Sequence, residues 1–324
     1  MNTRAGNAWT FWAQVVRNLF HWFGAVGRGL HSQRGRFIVV ALPILWLALF
    51  FLAPFLIVAK ISVAESLPGM RPPYSGLFDD AGTLTLELAN YGALVRDPLY
   101  LAAYLNSLGF AAVSTLACLL IGFPIAYGIA RAGTAARLVL LVLVVLPFWT
   151  NSLLRTYAMI GILKTNGLVN NALVALGVID QPLALLHTNF AVYVGITYNY
   201  LPFMILPLVA TLMKLDFGLL EAAADLGARP FAAFRRVTLP LAMPGIVAGS
   251  LLVFIPSVGE FVIPDLLGGP DAITIGRVLW TEFFNNRDWP LASAVAVAML
   301  ALIVIPVLVF EYVSDRRLDA DRAR

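Results

Sequence analysis

Lysine, histidine and cysteine are scarce in this 324-residue sequence, and charge of either sign is thin. Charged residues make up 12% of the chain, against about 25% in soluble domains, while 60% is hydrophobic and the mean hydropathy is +0.84. That composition excludes an ordinary soluble globule. The lone cysteine, Cys118, leaves no partner for an intrachain disulfide, and its apolar surroundings argue against a reactive thiolate. Lys60, Lys164 and Lys214 are the lysines, and none follows a glycine. The Gly-Lys-Ser/Thr loop that cradles nucleotide phosphates is therefore missing. With histidine confined to His21, His31 and His187, no metal-ligand cluster, nucleophile elbow or histidine-containing triad is visible, which argues against a membrane-embedded enzyme. His21 and His31 read as solvated, and His187 as a structural residue at a loop boundary.

What the chain does have is long apolar runs. A helix needs about 20 residues to cross a hydrocarbon core about 30 Å thick. Six runs qualify, at 37–60, 103–130, 137–157, 188–212, 241–264 and 291–312. The expected fold class is thus all-α, a polytopic membrane protein of about six transmembrane helices. Prolines lie inside several runs (Pro54, Pro124, Pro202, Pro207, Pro244, Pro256). Each removes a backbone donor, so the freed carbonyls need neighbouring helices or a cavity.

Sidedness follows from arginine and lysine. With the N-terminus inside, one set of segments collects Arg4, Arg17, Arg28, Arg34 and Arg36, then Arg131 and Arg137, then Lys214, Arg229, Arg235 and Arg236, then Arg316, Arg317, Arg322 and Arg324. The opposite segments hold only Arg71, Arg96, Arg155, Lys164, Arg277 and Arg287. Both termini are therefore expected in the cytoplasm. The first apolar run begins after residue 36 and is too long for the core of a cleaved signal. Before it, Trp12, Val16, Leu19, Phe23, Val26 and Leu30 recur at helical spacing opposite Gln14, Arg17, Asn18, His21 and Arg28. This predicts an amphipathic helix over 9–30 lying on lipid. The organisation expected is an N-terminal cytoplasmic segment (1–36), a transmembrane domain (37–313) and a cytoplasmic tail (314–324).

The segment richest in meaning is the inner loop at 214–240. Asp216 can cap a first helix, the run Glu221-Ala222-Ala223-Ala224 favours helix, and Gly227 suits a left-handed terminator. Pro230 fits the first turn of a second helix, which Pro240 is expected to end at the membrane. Ala222 and Ala223 leave room for another protein, and Glu221 and Asp225, four apart, share a face that can meet cations. Physics alone also allows a merely solvated loop with ordinary capping.

Glu221-Ala222-Ala223, then Gly227, then Val237-Thr238-Leu239-Pro240 resembles the EAA loop of binding-protein-dependent ABC importers, with Val237 where that family usually has Ile. Similarity extends along the chain from about residue 37. It includes Asp97-Pro98-Leu99-Tyr100, Pro147-Phe-Trp-Thr-Asn-Ser152, Leu239-Pro-Leu-Ala-Met-Pro-Gly-Ile246 and Asn286-Arg-Asp-Trp-Pro290. These resemble the spermidine/putrescine branch, and Val258-Gly-Glu-Phe-Val-Ile-Pro264 with Phe283-Phe-Asn-Asn286 resembles its putrescine-type permease above all. The resemblance implies a type I importer permease in a bacterial inner membrane, in which Glu221, Ala222, Ala223, Asp225 and Gly227 couple to an ATPase. It further implies two copies of that ATPase, which bind ATP and Mg, a second homologous permease, a periplasmic polyamine-binding protein and surrounding lipid. No cofactor in this chain and no nucleic acid are implied. A permease for another small solute, or an ion-coupled secondary transporter, is the alternative; the latter ordinarily shows relay acids and repeat symmetry, neither visible here.

A polyamine path needs carboxylates and aromatic faces. Glu260 is the acid that falls inside an expected span (241–264), next to Gly259 and flanked by Pro256 and Pro264, which makes it a path candidate. A structural pairing of Glu260 with an arginine is the competing reading. Asp265 is placed at the outer mouth, and Trp149, Tyr157, Tyr198 and Tyr200 are aromatic candidates, though interfacial belts use the same residues. Arg155 is expected to snorkel.

Overall fold

The computed structural model describes residues 34–67, 69–76 and 86–304. The amphipathic helix expected at 9–30 and the tail at 314–324 lie outside them. The chain falls into two compact units, Met1–Lys60 and Ile61–Arg324. Apolar length alone does not report which spans share a core.

α1 (Arg34–Leu47) passes through a π turn (Ala48–Leu52) into α2 (Ala53–Ser62). Pro54 explains the turn. Its ring clashes with a carbonyl one turn back and it lacks an N–H, so the ladder widens just before it. The same device recurs before Pro240, where a π turn (Phe234–Thr238) joins α10 (Pro230–Ala233) to α11 (Leu239–Val258). Pro240 therefore does not end a helix as expected: Pro230–Val258 is one apolar helix of 29 residues.

After the short α3 (Ala89–Arg96), the second unit is built on α4 (Pro98–Arg131), α8 (Asn189–Leu212) and α11. Asp97 starts α4 by accepting from the Leu99 N–H at 2.9 Å, and Thr188 starts α8 by accepting from Ala191 N–H at 3.3 Å. Cys118, Ala126, Met204, Leu208, Leu212, Ala242 and Val253 fill the seam between the three helices. Lipid removes the usual apolar driving force between helices, so close packing has to supply the cohesion. Glycine provides it: a Cβ on Gly249 would sit 2.8 Å from the Met204 sulfur and 3.0 Å from its carbonyl oxygen.

Two expected spans are redrawn. The run at 137–157 is not one helix: α5 (Thr134–Val145) and a 3₁₀ turn (Leu146–Trp149) meet α6 (Ser152–Leu163) and α7 (Leu168–Ala175) at a bend of 91°. Pro147 opens the turn, and Asn151 restarts the chain by accepting from Leu153 N–H at 2.8 Å. The run at 241–264 ends at Val258, and a break at Gly259–Phe261 precedes the short α12 (Val262–Leu267). Among the described residues, four helices are long and apolar enough to cross a bilayer, or five if the bent pair is one span. The sixth expected stretch appears as α14 (Trp289–Val304), which ends at the edge of the described residues. Their β-pairing is a single isolated bridge between Ser66 and Tyr74.

Candidate functional site

The loop at 214–240 forms α9 (Gly218–Asp225), a corner, and α10. Asp216 Oδ1 accepts from Gly218 N–H at 2.9 Å, tightening the entry. At the exit Gly227 adopts φ +81°, its N–H donates to Ala224 O at 2.8 Å, and Ala228 N–H donates to Ala223 O at 2.9 Å. That bond pair is a Schellman closure, which favours a residue without a Cβ at Gly227. Glu221, Ala222 and Asp225 are exposed and Ala223 is half-buried. Leu226 is 89% and Phe231 75% exposed, so two apolar knobs flank the acidic face.

α9 buries none of its own residues. What holds the loop is aromatic. Phe217, just before α9, meets Tyr127 edge-on with ring centroids 6.3 Å apart, and Phe234, just after α10, meets Phe123 at 5.5 Å and 89°. Phe123 and Tyr127 are four apart on α4 and so share a face. Arg131 lies over both Tyr127 and Phe217, its Cζ 5.7 Å from each centroid. None of the four aromatic residues was singled out from sequence, and Arg131 entered there only as a marker of sidedness. The signal that was available is an aromatic residue on each flank of the loop.

The second group surrounds the break after α11. Glu260 is half-buried and lies beyond the helix rather than inside it, because Gly259 closes α11 there. Its Oε1 accepts from Val262 and Ile263 N–H at 3.1 and 3.3 Å, capping α12, and its Oε2 accepts from the Tyr200 hydroxyl at 2.7 Å. Thr274 Oγ1 donates to the Glu260 carbonyl at 3.2 Å. The side-chain partners are neutral donors, not the arginine considered from sequence. An aromatic file leads away from this carboxylate: Tyr200 to Phe203 at 6.0 Å, Phe203 to Phe148 at 4.9 Å, then Arg155 Cζ over Phe148 at 5.8 Å. The bend carries Arg155 over Phe148, and its Nε and Nη1 are shielded with no hydrogen-bond partner among the described residues.

The other candidates are dispersed. Asp265, on α12, pairs with Arg277 at 3.1 Å. Trp149 and Tyr157 are 80% and 57% exposed. Tyr198 is two residues from Tyr200 and points about 200° away around α8. It lines a separate apolar cleft of about 500 Å³ with Pro124, Gly128, Leu140 and Pro147. Sequence reading also missed Glu282, a buried acid that accepts from Tyr100 Oη at 3.0 Å and Asn286 Nδ2 at 2.8 Å. Asn286, four residues on, was the available hint.

Comparison with known proteins adds the following. Residues 100–320 match the family model described as binding-protein-dependent transport system inner membrane component. The chain is 43% identical over 273 residues to the spermidine/putrescine transport system permease protein PotB of Haemophilus influenzae, covering 84% of this chain and 92% of that one. Against PotB of Escherichia coli K12 it is 41% identical over 267 residues, covering 82% and 92%. Among solved structures, a bacterial ABC transporter involved in the import of the acidic polysaccharide alginate aligns with a TM-score of 0.62 at 17% identity, over 95% of this chain and 99% of that one. At such identity the likeness speaks for the fold alone.

Proposed function

This chain belongs to the family of binding-protein-dependent transport system inner membrane components, and on that premise we propose that it is the permease subunit of a polyamine importer. The substrate is putrescine, with spermidine the second candidate. The observation that carries the substrate class is the naming of two relatives above 40% identity for spermidine and putrescine. The carboxylate of Glu260 accords with it: all three donors on its oxygens are neutral, which leaves its charge for an ammonium group, with Tyr200 and Phe203 beside it. Asp265 and the more exposed Trp149, Tyr157 and Tyr198 are peripheral candidates in this reading.

ATP and Mg are bound and hydrolysed by two copies of a partner ATPase, a sister permease completes the pathway, and a periplasmic binding protein delivers substrate. Glu221, Ala222, Ala223, Asp225 and Gly227 form the docking element. Support comes from its exposed acidic face, its apolar knobs and the closure at Gly227. Both termini lie in the cytoplasm. Alternation of access is a population shift, biased by contacts that the ATPase makes at the loop. The test is reconstitution of the four-protein system in vesicles with labelled putrescine and spermidine. ATP-dependent accumulation of either amine is expected. Accumulation by this chain alone, indifferent to nucleotide, overturns the assignment.

A further inference from the structure

We infer that the docking loop drives α4 directly, through an aromatic clamp made by Phe217 and Phe234 on the loop and Tyr127 and Phe123 on the helix, with Arg131 stacked across one jaw. This rests on the coupling reading above and goes beyond it, because it names where the motion enters the membrane domain.

The chain offers two routes for that motion. One is along the backbone, from α9 back into α8 or forward into α11. The other is sideways. α9 buries nothing of its own, yet both flanks of the loop carry a phenylalanine set against the same face of α4. The contacts fall one helical turn apart, so together they resist rotation of the loop about either one. Edge-to-face geometry, at 74° for Phe217–Tyr127 and 89° for Phe234–Phe123, is directional in a way aliphatic packing is not. Arg131 lies over both rings of the first pair, and its Nη1 reaches the Tyr127 hydroxyl at 3.5 Å. Phe123, Tyr127 and Phe217 also pack on the seam that joins α4, α8 and α11. A displaced loop thus pulls on the central helix at two fixed points.

The experiment uses the complete transporter in vesicles, reading ATP hydrolysed per putrescine imported and thiol cross-linking of the loop at Ala222→Cys to the ATPase. In Phe217→Leu/Phe234→Leu, burial is kept and ring geometry is lost. The ratio of ATP to substrate is expected to rise on the order of tenfold, a typical coupling magnitude, while the cross-link persists. A second variant guards against simple packing damage. Tyr127→Cys/Phe217→Cys is expected to be uncoupled, and bridging the two thiols with a short bis-methanethiosulfonate is expected to restore the ratio; Cys118 is buried and does not compete. An unchanged ratio in the leucine variant, or a bridged variant that stays uncoupled, overturns the clamp. Loss of the cross-link in the otherwise wild-type Ala222→Cys chain instead overturns the docking reading beneath it.

Discussion

Tyr200 on α8 donates its hydroxyl to Glu260 Oε2 at 2.7 Å, joining a long central helix to the break that follows another. Two substitutions at this bond separate charge from geometry. Tyr200→Phe removes a hydrogen bond to a charged acceptor, worth about 1.5–3 kcal/mol, and is expected to lower the melting temperature of the purified complex. Glu260→Gln keeps an oxygen for Val262 and Ile263 but removes the charge. Uptake of putrescine below saturation is expected to fall about tenfold, equivalent to about 1.4 kcal/mol of binding. An unaltered substrate dependence in Glu260→Gln takes this residue out of the path.

Gly227 sits at φ +81° with open space where a Cβ would go, so its requirement is conformational and not steric. Gly227→Ala is expected to cost about 1–2 kcal/mol of loop stability and to weaken transport partly. Gly227→Pro cannot reach that φ and also deletes the donor to Ala224 O. Transport should vanish while the subunit still inserts, as read by membrane fractionation beside uptake.

Glu221 is exposed, and among the described residues its side chain makes no hydrogen bond or ion pair, so reversing its charge leaves the fold intact. Glu221→Lys is therefore expected to change thermal stability by less than about 0.5 kcal/mol. Co-purification of the ATPase should nevertheless drop severely. Retained ATPase at wild-type yield argues against an acidic docking face.

Gly276, on α13 (Ile275–Trp280), approaches the backbone of the break: a Cβ there would lie 2.5 Å from Gly259 O and 3.1 Å from Glu260 O. Backbone cannot swing aside as a side-chain tip can. Gly276→Ala is expected to destabilise by about 1–3 kcal/mol and to reduce uptake by displacing Glu260. Wild-type melting and uptake together would show that the break tolerates the shift.

The side chains of Arg277 and Asp265 are 40% and 49% exposed, and such ion pairs contribute about 0–1 kcal/mol. Asp265→Asn is expected to leave both melting temperature and uptake nearly unchanged. A loss of uptake approaching that of Glu260→Gln would promote Asp265 from the rim to the path.

The membrane class, the approximate spans, and the helix–corner–helix of the loop at 214–240 were all legible in the sequence. Each depends on local quantities: apolar length for a span, and capping, small residues and a left-handed glycine for Gly218–Asp225 and Gly227. The 91° bend near Pro147 was not legible, because proline can kink, end or merely decorate a helix in lipid, and its neighbours decide which. Pro240 illustrates the opposite outcome, absorbed by a π turn in a continuous helix.

By itself the sequence determined that this chain belongs in a bilayer, roughly where its long apolar helices fall, and that a small acidic helix stands in the loop at 214–240, since all of these are sums over neighbouring residues. Only the tertiary structure decided that Glu260 meets Tyr200 instead of an arginine, that Tyr198 turns to a different cleft, and that Phe217 and Phe234 grip one face of α4. Those pairings join residues far apart in the chain, and side-chain direction at each depends on how whole helices are rotated and bent against one another.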